Sequence, residues 1–170
     1  MKLRVTVRDL EPVDLGDLDW SGGAEHLRAV SEALQAAYAG EVALVVAALG
    51  NGRLVGLGGV DFRPEVHAGR IWLLAVHETL QSLGIGRRLV LALEDRIVAA
   101  GRDTARLLVE HDNPRARSLY VRLGYREVGS VLDGWPVAGG RRFVTVSTVM
   151  ERALAAGSDR FDLKNRPPSA

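Results

Sequence analysis

Apolar positions along the chain change period several times, and each change marks an element. Leu3, Val5 and Val7 alternate with Arg4, Thr6 and Arg8, the period of two expected of a half-buried strand. Between Ala24 and Tyr38 the apolar residues Leu27, Val30, Leu34 and Ala37 recur at helical spacing and Gly40 follows as a stop, which predicts a helix. Val42 to Leu49 is a short apolar run rich in Val and reads as a strand. Asn51-Gly52 predicts a two-residue hairpin turn, since both residues tolerate positive φ, so Arg53 to Phe62 is expected to pair antiparallel with the strand before it. Gly69 to Val76 is strand-like again, and His77 to Leu83 is a polar connection. Ile85 to Ala100 sets Leu89, Val90, Leu93 and Ile97 on one helical face before Gly101. Thr104 to Val109 reads as a central strand, Asn113-Pro114 opens a short helix that ends at Gly124, and Tyr125 enters the next strand. Asp133 to Gly140 is expected to be a loop and Arg142 to Met150 the last strand.

Strand, helix, three strands, helix, strand, helix and two strands make an α/β chain with a mixed sheet flanked by helices. At 170 residues the chain has the size of one domain, expected over residues 1–156. Residues 157–170, with Pro167-Pro168 and few large apolar side chains, are expected to form a flexible C-terminal tail. Lys plus Arg number 22 and Asp plus Glu 21, a net charge of +1 that supplies no global field for nucleic acid or an anionic membrane. Neither partner is expected. The longest apolar stretches are too short to span a bilayer, and the N-terminus lacks the apolar core of a signal peptide. The absence of cysteine removes disulfides, thiolate metal sites and thiol nucleophiles and fits a reducing, cytoplasmic setting.

Two clusters carry candidate chemistry. Gln81-Ser82-Leu83-Gly84-Ile85-Gly86-Arg87-Arg88 lies between a strand and an amphipathic helix. A helix start exposes unpaired N–H groups and the positive end of the peptide dipoles, and glycines there let a phosphate approach without meeting a Cβ. Arg87 and Arg88 would add phosphate-binding guanidinium groups; the plainer reading is a tight turn with solvated arginines. The third glycine of a dinucleotide fingerprint and the Gly-Lys-Ser/Thr of a P-loop are both missing. In the second cluster, Asn113 to Tyr125, Asn113 suits a helix N-cap, Ala116, Leu119 and Leu123 form an apolar stripe, and Tyr120 could be simple core. His26, His67 and His77 are scattered without metal-ligand spacing, so no metal site is inferred.

Together the clusters resemble the GCN5-related N-acetyltransferase (GNAT) family. Gln81, Gly84 and Gly86 match its Gln/Arg-x-x-Gly-x-Gly/Ala acyl-CoA signature, Trp72 to His77 is similar to its fourth strand, and Asn113, Ala116, Leu119, Tyr120, Gly124 and Tyr125 match its Asn...Ala...Leu-Tyr...Gly-Phe/Tyr segment. The close similarity runs from about Ile71 to Val128 and extends more weakly over residues 3–153. The resemblance implies a mostly antiparallel sheet of six or seven strands whose fourth and fifth members splay apart to admit the pantetheine arm of acetyl-CoA. Main-chain groups of Leu74, Ala75 and Val76 would bond that arm, N–H groups from Gln81 through Ser82, Leu83, Gly84, Ile85, Gly86 and Arg87 to Arg88 would hold the pyrophosphate, and Asn113 would bond the arm as well. Tyr120 would point its hydroxyl at the thioester sulfur as an acid.

The reaction so implied is transfer of an acyl group, most simply acetyl, to the primary amine of a small-molecule or peptide acceptor through direct attack. The alternative is a non-catalytic acyl-CoA-binding sensor or interaction module. The base is the least defined part. The fourth strand carries no Asp or Glu, and the position five before Asn113, where members acting on protein N-termini carry glutamate, is Leu108. Glu110 and His111, ending the fifth strand, and Asp61, ending the third, are the candidates. Trp20-Ser21-Gly22-Gly23 and Asp133-Gly134-Trp135-Pro136 are expected to border the acceptor. Family members often dimerise, so a homodimer is a further expectation.

Overall fold

The computed structural model describes residues 3–155, and the expected C-terminal tail lies outside that range. Ten elements follow in chain order: β1 (Val5–Asp9), α1 (Ala24–Tyr38), β2 (Val42–Leu49), β3 (Leu54–Asp61), β4 (Ala68–Val76), α2 (Ile85–Ala99), β5 (Thr104–Glu110), α3 (Pro114–Arg122), β6 (Arg126–Val137) and β7 (Arg141–Ala153). Short 3-10 turns cover Pro12–Asp17 and Asp19–Ser21 before α1, and Glu78–Leu80 before α2. The strands form one sheet in the order β1-β2-β3-β4-β5-β7-β6. Every neighbouring pair is antiparallel except β4 with β5, which run parallel.

Burial follows from what covers each strand. Val45, Val46 and Ala47 in β2 and Val55 and Leu57 in β3 are buried on both faces, because α1 lies on one side of these strands and α2 on the other. Leu34, Leu44, Val46 and Leu57 belong to the α1 cluster, and Val45, Val55, Leu89, Leu93 and Ile97 to the α2 cluster. In β5 only Ala105, Leu107 and Val109 are buried, alternating with half-exposed neighbours. That strand is covered on the α2 face alone, the pattern of a one-sided sheet. Glu94 of α2, 1% exposed, accepts a hydrogen bond from the Tyr125 hydroxyl at 3.0 Å and two from Arg152 of β7 at 3.1 Å. These bonds tie α2 to the chain that leaves α3.

Two local expectations are corrected. The β2–β3 turn is a three-residue loop, with Leu49 N–H bonded to the Arg53 carbonyl and Gly52 N–H to the Leu49 carbonyl. Only Gly52 (φ 85°) takes a positive φ, because Asn51 spends its side chain accepting the Arg53 N–H at 3.1 Å. The segment from Asp133 to Gly140 is a strand as far as Val137, paired with Arg141–Thr145, and the chain reverses only at Ala138–Gly140. Gly134 and Pro136 read as turn residues, yet β6 is the outer edge of the sheet, where a strand bonded on one side tolerates both.

Candidate active site

A β-bulge shapes the centre of the site. Between Trp72 and Ala75, β4 advances three residues while β3 advances two from Gly59 to Leu57, so one extra residue is inserted on β4. Leu73 takes it up with φ 56°, a left-handed value that a branched side chain adopts only under constraint. Parallel pairing with β5 extends from Ala68–Thr104 to Ile71–Leu107 and stops there. Beyond it, Leu74, Ala75 and Val76 have no strand on their β5 side, while Ala75 and Val76 stay paired with β3. The two central strands part, leaving a row of main-chain groups facing a gap.

The gap leads to the start of α2. Gly84 is the N-cap, with φ 81° and no side-chain cap, so the Ile85, Gly86 and Arg87 N–H groups are donors left over from the first turn. Arg88 N–H already bonds the Gly84 carbonyl at 3.2 Å. The glycines serve different ends. A Cβ on Gly84 would meet nothing within 4 Å, so its requirement is conformational, whereas one on Gly86 would stand 3.2 Å from Leu119 Cδ2 of α3 and 3.8 Å from Val76 Cγ2. Ser82, also left-handed at φ 66°, accepts a hydrogen bond from Arg115 at the start of α3. Gln81 donates from Nε2 to the Val76 carbonyl at 3.3 Å. Leu83 and Arg87 are exposed, and Arg88 donates to the Val5 carbonyl of β1 at 2.8 Å, so its guanidinium is engaged by β1.

α3 closes the other side. Asn113 caps it, with Oδ1 accepting the Ala116 N–H at 3.1 Å, and its amide nitrogen keeps two donors without a partner among the described residues. Tyr120, 7% exposed, packs in the α2 cluster edge-on to Tyr125, with ring centroids 5.9 Å apart. Burial pushes the Tyr120 phenol up to about 12.

The candidate bases separate in space. Glu110 ends β5 on the side where β4 and β5 part, directly across from Ser147 of β7. Burial, Asp112 and Asp133 hold its carboxyl above the ordinary glutamate range. Asp61 sits at the other end of the sheet: it pairs with Arg70, whereas Val76 pairs with Gly56, an offset of roughly 16 Å along β3. Arg63 binds it through two bonds of 2.9 and 3.0 Å, and although burial opposes the shift, these bonds leave its carboxyl below the usual aspartate range. The structure therefore does not bring Asp61 to the gap.

Beside Val76 a cavity of about 390 Å³ is lined by Trp20, Ser21, Ala75, Val76, His77, Glu78 and Gln81. The Trp20 and His77 rings lie 5.5 Å apart. Trp20 thus stands where the sequence places an acceptor border, and Glu78 joins it unannounced, because no spacing links a 3-10 turn before α1 to another before α2. Among the described residues no three His, Asp or Glu side chains are grouped to hold a metal ion, and no helix is long and apolar enough to cross a membrane.

A family model for the GNAT acetyltransferases matches residues 13–125, well over half of the chain. The chain belongs to the GNAT acetyltransferase family. An acetyltransferase of Pectobacterium atrosepticum is 33% identical over 86 residues, which are 49% of this chain and 58% of that protein; the match spans little more than half of the relative. Among solved structures, a GNAT acetyltransferase of Streptococcus pneumoniae superposes with a TM-score of 0.69 at 19% identity, covering 89% of this chain and 100% of that one. A structure of the Salmonella typhimurium protein yncA, described as a putative acetyltransferase with its cofactor acetyl-CoA, superposes with a TM-score of 0.67 at 18% identity, covering 91% and 96%. These likenesses extend the GNAT fold over the whole sheet, β6 and β7 included.

Proposed function

We propose that this GNAT acetyltransferase moves the acetyl group of acetyl-CoA to a primary amine through a ternary complex. One observation carries the reading: β4 leaves β5 after Ile71, and the gap so opened runs to three free N–H donors at a glycine-capped helix start. The first-turn donors suit a diphosphate. The β5-facing edge of Leu74 to Val76, which has no strand partner, suits an extended amide-bearing arm laid along it like a strand. The thioester would then lie between the end of β4 and α3.

Within that frame the residues divide the work. The neutral amine attacks the thioester carbonyl, forming the C–N bond, and a main-chain N–H near Val76 faces the oxyanion. Glu110, whose carboxyl is held above the ordinary glutamate range by burial, Asp112 and Asp133, is a stronger base than an ordinary glutamate once ionised, and takes the proton the amine sheds. The C–S bond breaks and the sulfur leaves as a thiolate. A phenol near 12 is a weaker acid than a free thiol near about 8.5. Tyr120 therefore first donates a hydrogen bond to the sulfur, and yields its proton only as negative charge builds there. The proton gained by Glu110 returns through solvent to reset the site.

The test is thiol release from acetyl-CoA across a panel of primary amines, with calorimetry of acetyl-CoA binding in parallel. Release with at least one amine supports the transferase. Tight binding with no release across the panel would leave an acyl-CoA-binding module in its place.

A further inference from the structure

Beyond β5 the sheet face on the α1 side has no helix of the described residues over it, and strand register lines up beside Glu110 further side chains that the transfer step does not use. Glu110 stands across from Ser147, and Ser147 across from Val131; directly opposed residues share a face. The next rank on that face toward the β6–β7 turn is Thr145 with Asp133, and the one after it Phe143 with Trp135. Successive ranks lie about 7 Å apart by strand rise. The Trp135 and Phe143 rings are 5.0 Å apart, tilted at 42°, and both are exposed.

Two independent observations make this a binding surface. Ser147 is wholly buried, and its Oγ has no hydrogen-bond partner among the described residues. Glu110, Asp112 and Asp133 form no ion pair among the described residues, whereas Asp14, Asp61, Glu65, Glu94 and Glu151 each lie against an arginine. Clustered carboxylates left unpaired, next to exposed aromatic faces, complement an organic cation, which gains from the carboxylate and from the ring faces together. The aromatic pair selects an alkylammonium or guanidinium over a metal ion.

We propose that Asp133, with Trp135 and Phe143, is a subsite for a second cationic group of the acceptor, so that the protein acts on alkylamines bearing a further ammonium or guanidinium. Resting on the transferase reading, with Glu110 beside the reacting nitrogen, the register sets the two carboxylate-bearing positions two strands and one rank apart, roughly 12 Å between backbones, and a five-carbon diamine spans the interval left between two carboxylates that reach toward it. Ser147 lies on the same face, across from Glu110 and one rank from Asp133, and its Oγ, without a partner among the described residues, is a polar group left over for the bound acceptor.

The experiment compares kcat/KM for 1,5-diaminopentane, pentylamine and 5-aminopentanoate by thiol release. The diamine is expected to exceed pentylamine by about tenfold, with 5-aminopentanoate the poorest. Asp133→Asn keeps the acceptor for the Gly134 N–H, which Asp133 bonds at 2.8 Å, and is expected to shrink the diamine-to-pentylamine ratio about tenfold. Asp133→Lys is expected to move the preference toward 5-aminopentanoate. Equal values for the three substrates, or an unchanged ratio in Asp133→Asn, overturn the subsite and leave the transferase standing. No thiol release with any amine overturns the transferase reading and the subsite with it.

Discussion

Gly86 and Leu119 approach so closely that no methyl group fits between them without movement: a Cβ on Gly86 would stand 3.2 Å from Leu119 Cδ2. The contact presses α3 against the first turn of α2, and Tyr120 is the next residue along α3. Gly86 therefore sets the position of the phenol as well as the start of α2.

From that contact, Gly86→Val is expected to displace Leu119 and to lower kcat about tenfold or more, since small misplacements of an acid are costly. Gly84→Ala acts differently. With φ 81° and open space around it, it is expected to cost about 1 kcal/mol of stability and to weaken acetyl-CoA binding by distorting the cradle. Thermal melts, calorimetry and steady-state rates separate the two, and equal acetyl-CoA affinity in Gly84→Ala and the parent would remove the cradle.

Removal of the Tyr120 hydroxyl takes away no hydrogen bond found among the described residues, so Tyr120→Phe is expected to keep its melting temperature and its acetyl-CoA affinity. Its kcat should fall by roughly 10² or more, the scale of a lost general acid. Unchanged turnover would take Tyr120 out of the chemistry.

Glu110 gives a prediction with a sign. Its carboxyl is raised in the folded chain by burial first and by Asp112 and Asp133 after it, so the folded state holds the proton more tightly than the unfolded one. It costs stability as pH rises through the interval from the ordinary glutamate value to the raised one, and that cost persists at neutral pH. Glu110→Gln is expected to raise the melting temperature at pH 7 and to give no gain below the ordinary glutamate range. It should also abolish the limb of kcat/KM that rises with pH as the base ionises.

Asp61 behaves oppositely. Its carboxyl is lowered by Arg63 against the cost of burial, so it adds stability above the ordinary aspartate value, lost as pH falls through the lowered one. Asp61→Asn is expected to cost no more than about 1 kcal/mol, because Arg63 is half exposed, and to leave the rate within about twofold. A large loss of kcat/KM would bring Asp61 back into the chemistry.

Local signals held wherever neighbouring residues decide the outcome. Helical spacing marks Ala24–Tyr38 to the residue, and the Asn113-Pro114 start and the Gly84 cap are visible as letters, because capping and periodicity act within one or two turns. They failed at Pro136 and Gly134, where edge-strand pairing overrode turn preference, and at Asn51, where a side-chain bond changed the turn.

By itself the sequence determined the order of elements, the helix start that offers free donors and the phenol on α3, since each depends on residues close in the chain. Tertiary structure alone decided which carboxylate reaches the gap. Glu110 and Asp61 both end apolar strands, yet the parallel β4–β5 pairing carries one to the parted ends, while the antiparallel β3–β4 pairing carries the other away. Register between distant strands likewise sets Ser147 and Asp133 on the face of Glu110, and no local pattern encodes a register that hydrogen bonds between remote segments create.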